Sequence, residues 1–340
     1  MFWAFTLNDS SAYEYIMLDL YSLLSSCYAS VQEAIYANVV EPFLFYADLM
    51  PWAEDAFDGT EWLLLGIIQV LLIAFFLRKW EKIDPAEKQV FYSKEIRTDF
   101  LYTLFHRLGI FHAITFILFS EIFFLLDSYL HDWRFDRFNV ESWWPGVTSI
   151  PLVSFFIYLV ALDFIEYLYH RASHYFQWWW QLHILHHSQR IMTAWSDNRN
   201  HILDDFMRAL VFALFSLVFG VPPSQYIFLV MMSQFLQSWQ HANLNIHLGP
   251  LRYFLISPVY HRLHHAIGLG YESSDAQGRL GGCNFGILFP WWDILFRTAK
   301  FPQKVYPTGV RDLVVSNDIL VQQWQGVRHA LRVLFKKLGD

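Results

Sequence analysis

Apolar residues fall in long blocks separated by short polar stretches, the pattern of a chain that threads a bilayer. Residues Trp62–Leu77 carry no charge and run into Arg78-Lys79-Trp80, which suit an interfacial anchor, so this block predicts a first spanning helix. A second block, Leu108–Leu126, has His112 and Glu121 as its titratable interruptions, and a third, Val147–Tyr169, carries Asp163 and Glu166 near its end. Further on, Phe206–Phe219 and Gln225–Trp239 flank Gly220-Val221-Pro222-Pro223, which must break any helix. This reads as an apolar hairpin whose short arms either cross or turn back within the membrane. Leu320, Trp324, Val327, Leu331, Leu334 and Leu338 repeat at helical spacing among Arg328, Arg332, Lys336 and Lys337, predicting an amphipathic helix on the membrane surface, with packing on the rest of the fold as the alternative. The stretch Ala12–Met50 is apolar but broken by Asp19, Glu33 and Glu41, so an outer-face amphipathic helix is expected there, an additional span being the alternative. The expected fold is all-α, an integral membrane helical bundle carrying a histidine-rich helical cap. Its parts are an acidic outer segment (1–60), transmembrane helices (61–169), a histidine-rich region containing the hairpin 206–240 (170–298) and the terminal helix (299–340).

Composition agrees. Hydrophobic residues make up 55% and charged residues 16% of the 340 positions, against roughly 25% charged in a soluble domain, and mean hydropathy is +0.26. The net charge of −7 excludes a protein that neutralises nucleic-acid phosphates. Two cysteines, Cys27 and Cys283, are too few for a disulfide framework or a thiolate metal site. The first 77 residues contain no Lys or Arg, six fall between Arg78 and Arg97, and 15 of the 24 lie from His170 onward. The positive-inside rule then puts residues 78–107, 170–205 and the C-terminal region in the cytoplasm of a multi-pass protein.

Histidine is the anomaly, with 15 in all. Three clusters stand out: His170 and His174; His183, His186 and His187; and His261, His264 and His265. Residues three or four apart share a helix face, so each cluster can send imidazoles to one point, as metal ligation requires. A catalytic zinc takes about three protein ligands. Eight imidazoles instead suit two five- or six-coordinate ions, which suggests a non-haem di-iron centre able to activate dioxygen. His241, ending the return arm of the hairpin, is a candidate ninth ligand, and His201 a weaker candidate. His106, His112, His131, His247 and His329 are read as structural or interfacial. Asp163, seven residues before His170 on the same helical face, is a candidate partner for a ligand imidazole. Trp178, Trp179 and Trp180 are read as an interfacial aromatic belt. The glycine-rich stretch Gly268–Gly282 is either a lid over the site or a solvent loop.

The order H-x3-H, H-x2-H-H, hairpin, H-x2-H-H, with Asp163 and Tyr167 leading into His170-Arg171, resembles the fatty acid hydroxylase / sterol desaturase superfamily of membrane di-iron enzymes. Gly249-Pro250-Leu251, Asn284-Phe285-Gly286 and Trp292 to Thr298 resemble its closing motifs, and the likeness covers Glu95–Thr298. The resemblance implies an oxygen-dependent enzyme acting on a C–H bond of a fatty acyl, sterol-like or isoprenoid lipid, by hydroxylation, desaturation or oxidation beside an ether oxygen. It implies two iron ions, which zinc can replace in purified protein, held by His170, His174, His183, His186, His187, His261, His264 and His265, with His241. No haem or flavin motif occurs, so electrons are expected from a partner such as a ferredoxin or a cytochrome b5-like protein. Three departures stand out. Tyr175 follows His174 where a pterin-dependent member of that superfamily has Glu, which speaks against that member's activity here. His201-Ile202-Leu203-Asp204 replaces His-Pro-x-Glu, and Phe296-Arg297-Thr298 replaces Phe-Gly-Thr. Two competing readings exist. A zinc-dependent membrane hydrolase would need a general-base Glu, and no H-E-x-x-H occurs. A metal transporter would carry ligands along its transmembrane path rather than beside the membrane.

Overall fold

The computed structural model describes residues 22–23, 25–268 and 282–338, and among them all regular elements are helical, with two isolated β-bridges. The chain divides into two compact units, residues 1–65 and 66–340. In the first, residues 25–46 are helical through a π turn at Tyr36–Val40, and Asp48, at φ 56°, breaks the run. Tyr36 packs edge-on against Phe57 at 5.2 Å between ring centroids. Residues 12–21 of the expected outer-face helix lie outside the described residues.

Three described helices are long and apolar enough to cross a membrane: α1 (Met50–Ile83), α3 (Ile110–Asp132) and α4 (Pro151–Tyr175). The first contains its expected block, while α3 and α4 begin at Ile110 and Pro151, later than the expected Leu108 and Val147; all three run on past the C-terminal end of the block, because helix continues through polar turns that hydropathy leaves out. Between them, α2 (Lys94–Arg107) lies in the basic stretch 78–107, for which the sequence pattern predicts no helix. It was hidden because its buried face is polar: Thr98, Asp99, Thr103, His106 and Arg107 are all buried, so no hydrophobic period marks it. Ser93 caps its first turn, Oγ accepting from Ile96 N at 3.1 Å. A Cβ at Gly66 would overlap the Arg107 carbonyl, so glycine is what lets α1 approach the end of α2.

After α4, Phe176 adopts an extended conformation and α5 (Gln177–His187) begins at once. The hairpin follows as α6 (Ile202–Phe219) and α7 (Pro223–His241). Gly220, at φ 58°, closes α6 in the left-handed region, and Pro223 opens α7 at a position where its missing N–H costs nothing. Neither arm is among the three candidate spans. The short α8 (Pro258–His264), capped by Ser257, and α9 (Trp291–Leu295) precede α10 (Ile319–Leu338). One face of α10 packs along α5, with Gln322, Gly326 and Ala330 buried, while Leu320, Trp324, Leu331 and Phe335 are exposed. The apolar stripe read from sequence is mostly this outer face. Ile73, Leu77, Ile96, Trp195 and Leu244 form an apolar cluster joining α1, α2 and the segments beside the histidines; each aliphatic member contributes roughly 1.5–3 kcal/mol.

Candidate metal centre

Four helices deliver nine histidines to one place. His170 and His174 lie on the last turns of α4, His183, His186 and His187 on α5, His241 ends α7, and His261, His264 and His265 come from α8 and its C-cap. Their potential ligand atoms form two groups, each within 4.8 Å: His170, His174, His183, His187 and His264 in one, His186, His241, His261 and His265 in the other. Spacing explains the partition. The pair four apart on α5, His183 and His187, joins the first group, and the pair four apart on α8, His261 and His265, joins the second. The remaining member of each trio, His186 or His264, crosses to the opposite group. Each of the two helices therefore serves both groups, and the groups must adjoin. His187 stacks on His265 across the boundary, with ring centroids 4.3 Å apart.

Hydrogen bonds set the tautomers. Carbonyl oxygens accept only, so His170 Nδ1 must donate to Phe285 O (2.9 Å), His264 Nδ1 to Cys283 O (2.7 Å) and His241 Nδ1 to Gln237 O (2.8 Å). His183 Nδ1 likewise donates to Asp204 Oδ2 at 2.9 Å. These four rings present Nε2 lone pairs inward. Nε2 of His170 and of His183 is buried with no partner. His241 Nε2 faces both His186 Nε2 and His261 Nε2 at 3.1 Å, and His187 Nε2 faces His174 Nε2 at 3.0 Å and His264 Nε2 at 3.1 Å. A single shared proton can bridge one such pair, whereas a cation at the middle of each group satisfies every lone pair at once. The donor set thus fits two metal ions, five imidazoles for one and four for the other. Burial, and after it the neighbouring imidazoles, holds His186, His187, His261 and His265 well below the usual histidine pKa. Burial likewise brings His264 down to about 3. All five are therefore neutral at physiological pH, the form that binds metal.

The carbonyls that orient His170 and His264 belong to a loop organised by Asp293. Its carboxylate accepts from Phe285 N (2.9 Å), Gly286 N (2.8 Å) and Thr298 Oγ1 (2.6 Å), and a Cβ at Gly286 would press on Asp293 Oδ2 and on the Phe289 carbonyl. Beside both groups lies a cavity of about 50 Å³, lined by His170 and His183 on one side and His186, His241 and His261 on the other.

The family model for fatty acid hydroxylases matches residues 155–298, the stretch that holds all nine histidines. Alkylglycerol monooxygenase of Caenorhabditis elegans is 31% identical over 172 residues, half of this chain and 30% of that protein. The human alkylglycerol monooxygenase is 27% identical over 52% of this chain and 36% of its own length. Together these likenesses support the fatty acid hydroxylase superfamily for residues 155–298. The matched part spans about a third of the curated relatives' length, and no solved structure matches.

Within the matched part, three expectations need correction. Asp163 touches no histidine: it accepts from Leu288 N (2.7 Å), Phe289 N (3.3 Å) and Trp292 Nε1 (2.9 Å), fastening the closing segment to α4. Helical spacing put it on the right face, but seven residues of rise carry it two turns away from His170. His201 is no ligand either. Its Nδ1 accepts from Leu203 N at 3.2 Å, capping α6, and its Nε2 donates to Gln323 O of α10 at 2.8 Å, so both nitrogens are used. A Cβ at Gly326 would overlap the His201 ring, which is why α10 carries glycine there. Trp180 is no part of a belt: it is buried against His174 and His187, at 4.8 and 5.1 Å between ring centroids, while Trp179 Nε1 donates to Asp204 Oδ1 at 2.7 Å. Of the glycine-rich stretch, residues 269–281 lie outside the described residues.

Asp204, left without a role by sequence reasoning, is the residue that orients His183. Tyr169 also donates to it, at 2.5 Å. The departure from His-Pro-x-Glu thus keeps a carboxylate at its fourth position. Asp204→Asn can offer His183 Nδ1–H an amide oxygen but not a charged acceptor, so metal affinity is expected to fall by about 10- to 100-fold with the fold intact. Metal-buffered titration of the purified variant reads this directly, and an unchanged affinity would remove Asp204 from the site.

Proposed function

We propose that this chain is a membrane-bound, oxygen-dependent di-iron monooxygenase that hydroxylates a C–H bond of a lipid. The observation that carries the reading is the pair of adjoining imidazole groups, five and four, all buried and converging on two points. Nine imidazole ligands exceed the need of a hydrolytic zinc site by a wide margin. When bound, two ferrous ions would supply electrons and a binding site for the reduction of dioxygen.

The reaction balances as R–H + O2 + 2 e⁻ + 2 H⁺ → R–OH + H2O. One oxygen atom enters the C–H bond and the other leaves as water, while a separate one-electron carrier, ferredoxin- or cytochrome b5-like, provides the electrons. The chain's own residues position and protect. His170, His174, His183, His187 and His264 would hold one ion, and His186, His241, His261 and His265 the other. Asp204, Phe285 O, Cys283 O and Gln237 O fix ring orientation beforehand, so no reorganisation is needed at the reacting step. Trp180 and Phe285 pack against the rings and exclude water. His170 and His174 end α4, a helix long and apolar enough to span, which supports a centre beside the lipid from which a substrate would enter; the distribution of Lys and Arg supports the cytoplasmic side. The relatives' names favour a lipid with an ether oxygen as the first substrate to test.

Iron-loaded protein in lipid nanodiscs, given a reduced carrier and a panel of lipids under oxygen-18, should consume dioxygen and yield a lipid carrying one labelled hydroxyl. Product oxygen drawn from water would overturn the monooxygenase reading.

A further inference from the structure

The cavity beside the two histidine groups is unlike a slot for a hydrocarbon chain. Among its described lining residues Ile287 is the single aliphatic side chain; the walls away from the histidines carry Glu166, Asp197, Asn200, Asp205, Arg208 and Gln237. Most of these polar groups are already satisfied by one another. Glu166 pairs with Arg208 and accepts from Ser233 at 3.2 Å. Asp205 takes His106 Nε2 at 2.9 Å and Asn200 Nδ2 at 3.0 Å. Gln237 Nε2 donates to Ser233 Oγ at 3.0 Å.

Asp197 is the exception. It is 6% exposed, and its Oδ2 accepts from Arg107 at 2.6 Å and from Ser238 at 2.9 Å. Its Oδ1 has no protein partner. His170 Nε2 and His183 Nε2, also unpartnered and lining the same cavity, have their lone pairs claimed by an ion under the proposed function. The Asp197 oxygen has no such claim on it, and a buried acceptor left unsatisfied is unfavourable. It calls for a donor. The volume, about 50 Å³, accommodates a few waters or the hydroxyl end of a larger molecule.

We infer that Asp197 Oδ1 accepts a hydrogen bond from a free hydroxyl of the substrate, so that the enzyme acts on a lipid alcohol at or next to its hydroxyl-bearing carbon rather than on an unfunctionalised stretch of acyl chain. The inference rests on the proposed reaction and specifies its substrate. Asp197 is a positioning residue: Arg107 and Ser238 hold one carboxylate oxygen still, and the other fixes the polar end of the lipid beside the two groups. The lipid tail extends away from this polar cavity toward the bilayer.

The test uses the full chain, iron-loaded, in phosphatidylcholine nanodiscs. Equilibrium binding and oxygen uptake are measured with a long-chain alkyl 1,2-diol and with the same chain carrying both hydroxyls as methyl ethers. The diol should bind and turn over with an advantage of about 10- to 100-fold, chiefly in Kd and KM, the effect of one charge-assisted hydrogen bond. In Asp197→Asn the amide oxygen stays on Arg107 and the NH2 faces the cavity, turning an acceptor into a donor, so the preference for the diol should collapse toward unity with iron content retained. Equal handling of diol and dimethyl ether by the unaltered protein overturns the inference and leaves the proposed reaction standing; this arm needs no variant to fold. Preferential binding of the diol without oxygen uptake does the reverse. Loss of iron from Asp197→Asn also overturns it, since the carboxylate would then serve the metal site.

Discussion

His187→Ala is expected to empty the first histidine group and abolish turnover. His187 is fully buried, its Nε2 stands between those of His174 and His264, and its ring stacks on His265 of the second group. The substitution removes one of five donors and also the ring contact that joins the groups. Loss of an orienting partner costs about 10- to 100-fold in metal affinity, so loss of a ligand at this junction should cost more than 100-fold and bring bound iron well below that of the unaltered chain. His261→Ala should do the same through the second group. His247→Ala is the matched control: it is exposed and belongs to neither group, so iron should be unchanged. Iron per chain, measured on monodisperse protein from each variant, decides the matter. His187→Ala with full iron would show that the rings cluster for packing alone.

Arg107→Ala should be the most damaging substitution for the fold itself. The guanidinium is 1% exposed. It donates to Asp197 Oδ2 (2.6 Å), Gln69 Oε1 (2.5 Å), Gln234 Oε1 (2.6 Å), Gln234 O (2.8 Å) and Ser238 Oγ (3.0 Å), tying α1, α2, α7 and the Ser196–Asn198 turn together. Truncation removes the cation that pairs with the buried Asp197 carboxylate, a loss of about 3–5 kcal/mol. Set against a typical stability of about 5–15 kcal/mol, that is enough to deplete folded protein. Arg107→Lys keeps the charge but not the planar fork that reaches several acceptors, so rescue should be partial. Midpoints of thermal unfolding in detergent should rank the unaltered chain above Arg107→Lys and both above Arg107→Ala; equal midpoints would contradict the assigned role.

The sequence made the centre legible because imidazole spacing and helix geometry share a period. Residues three and four apart fall on one face, so the clusters around His170, His183 and His261 announced themselves, and the Gly-Val-Pro-Pro break showed how the chain returns to place His241 beside them. Spacing did not reveal which histidine joins which group. The crossing of His186 and His264 depends on how α5 and α8 pack, a long-range property with no local signature. The supporting residues were harder still. Asp204 and Asp293 act through single hydrogen bonds to a ring or a loop amide, and no periodicity marks such a contact. For Asp163, spacing gives the correct face but not the partner, because seven residues of rise carry it two turns from His170. Trp180 is illegible as a wall of the site because an interfacial belt and a wall of stacked rings have the same composition. Helix α2 escaped notice since its inner face bonds through Asp99, Thr103 and Arg107 rather than through apolar contact.

The account stands or falls on two ions held by nine imidazoles. Metal analysis of the full chain, purified anaerobically after growth with iron and expressed per folded protein, tests this most directly. Two irons per chain, one for each of the two groups, is the expected result. A single zinc per chain, unchanged by iron loading, would contradict it.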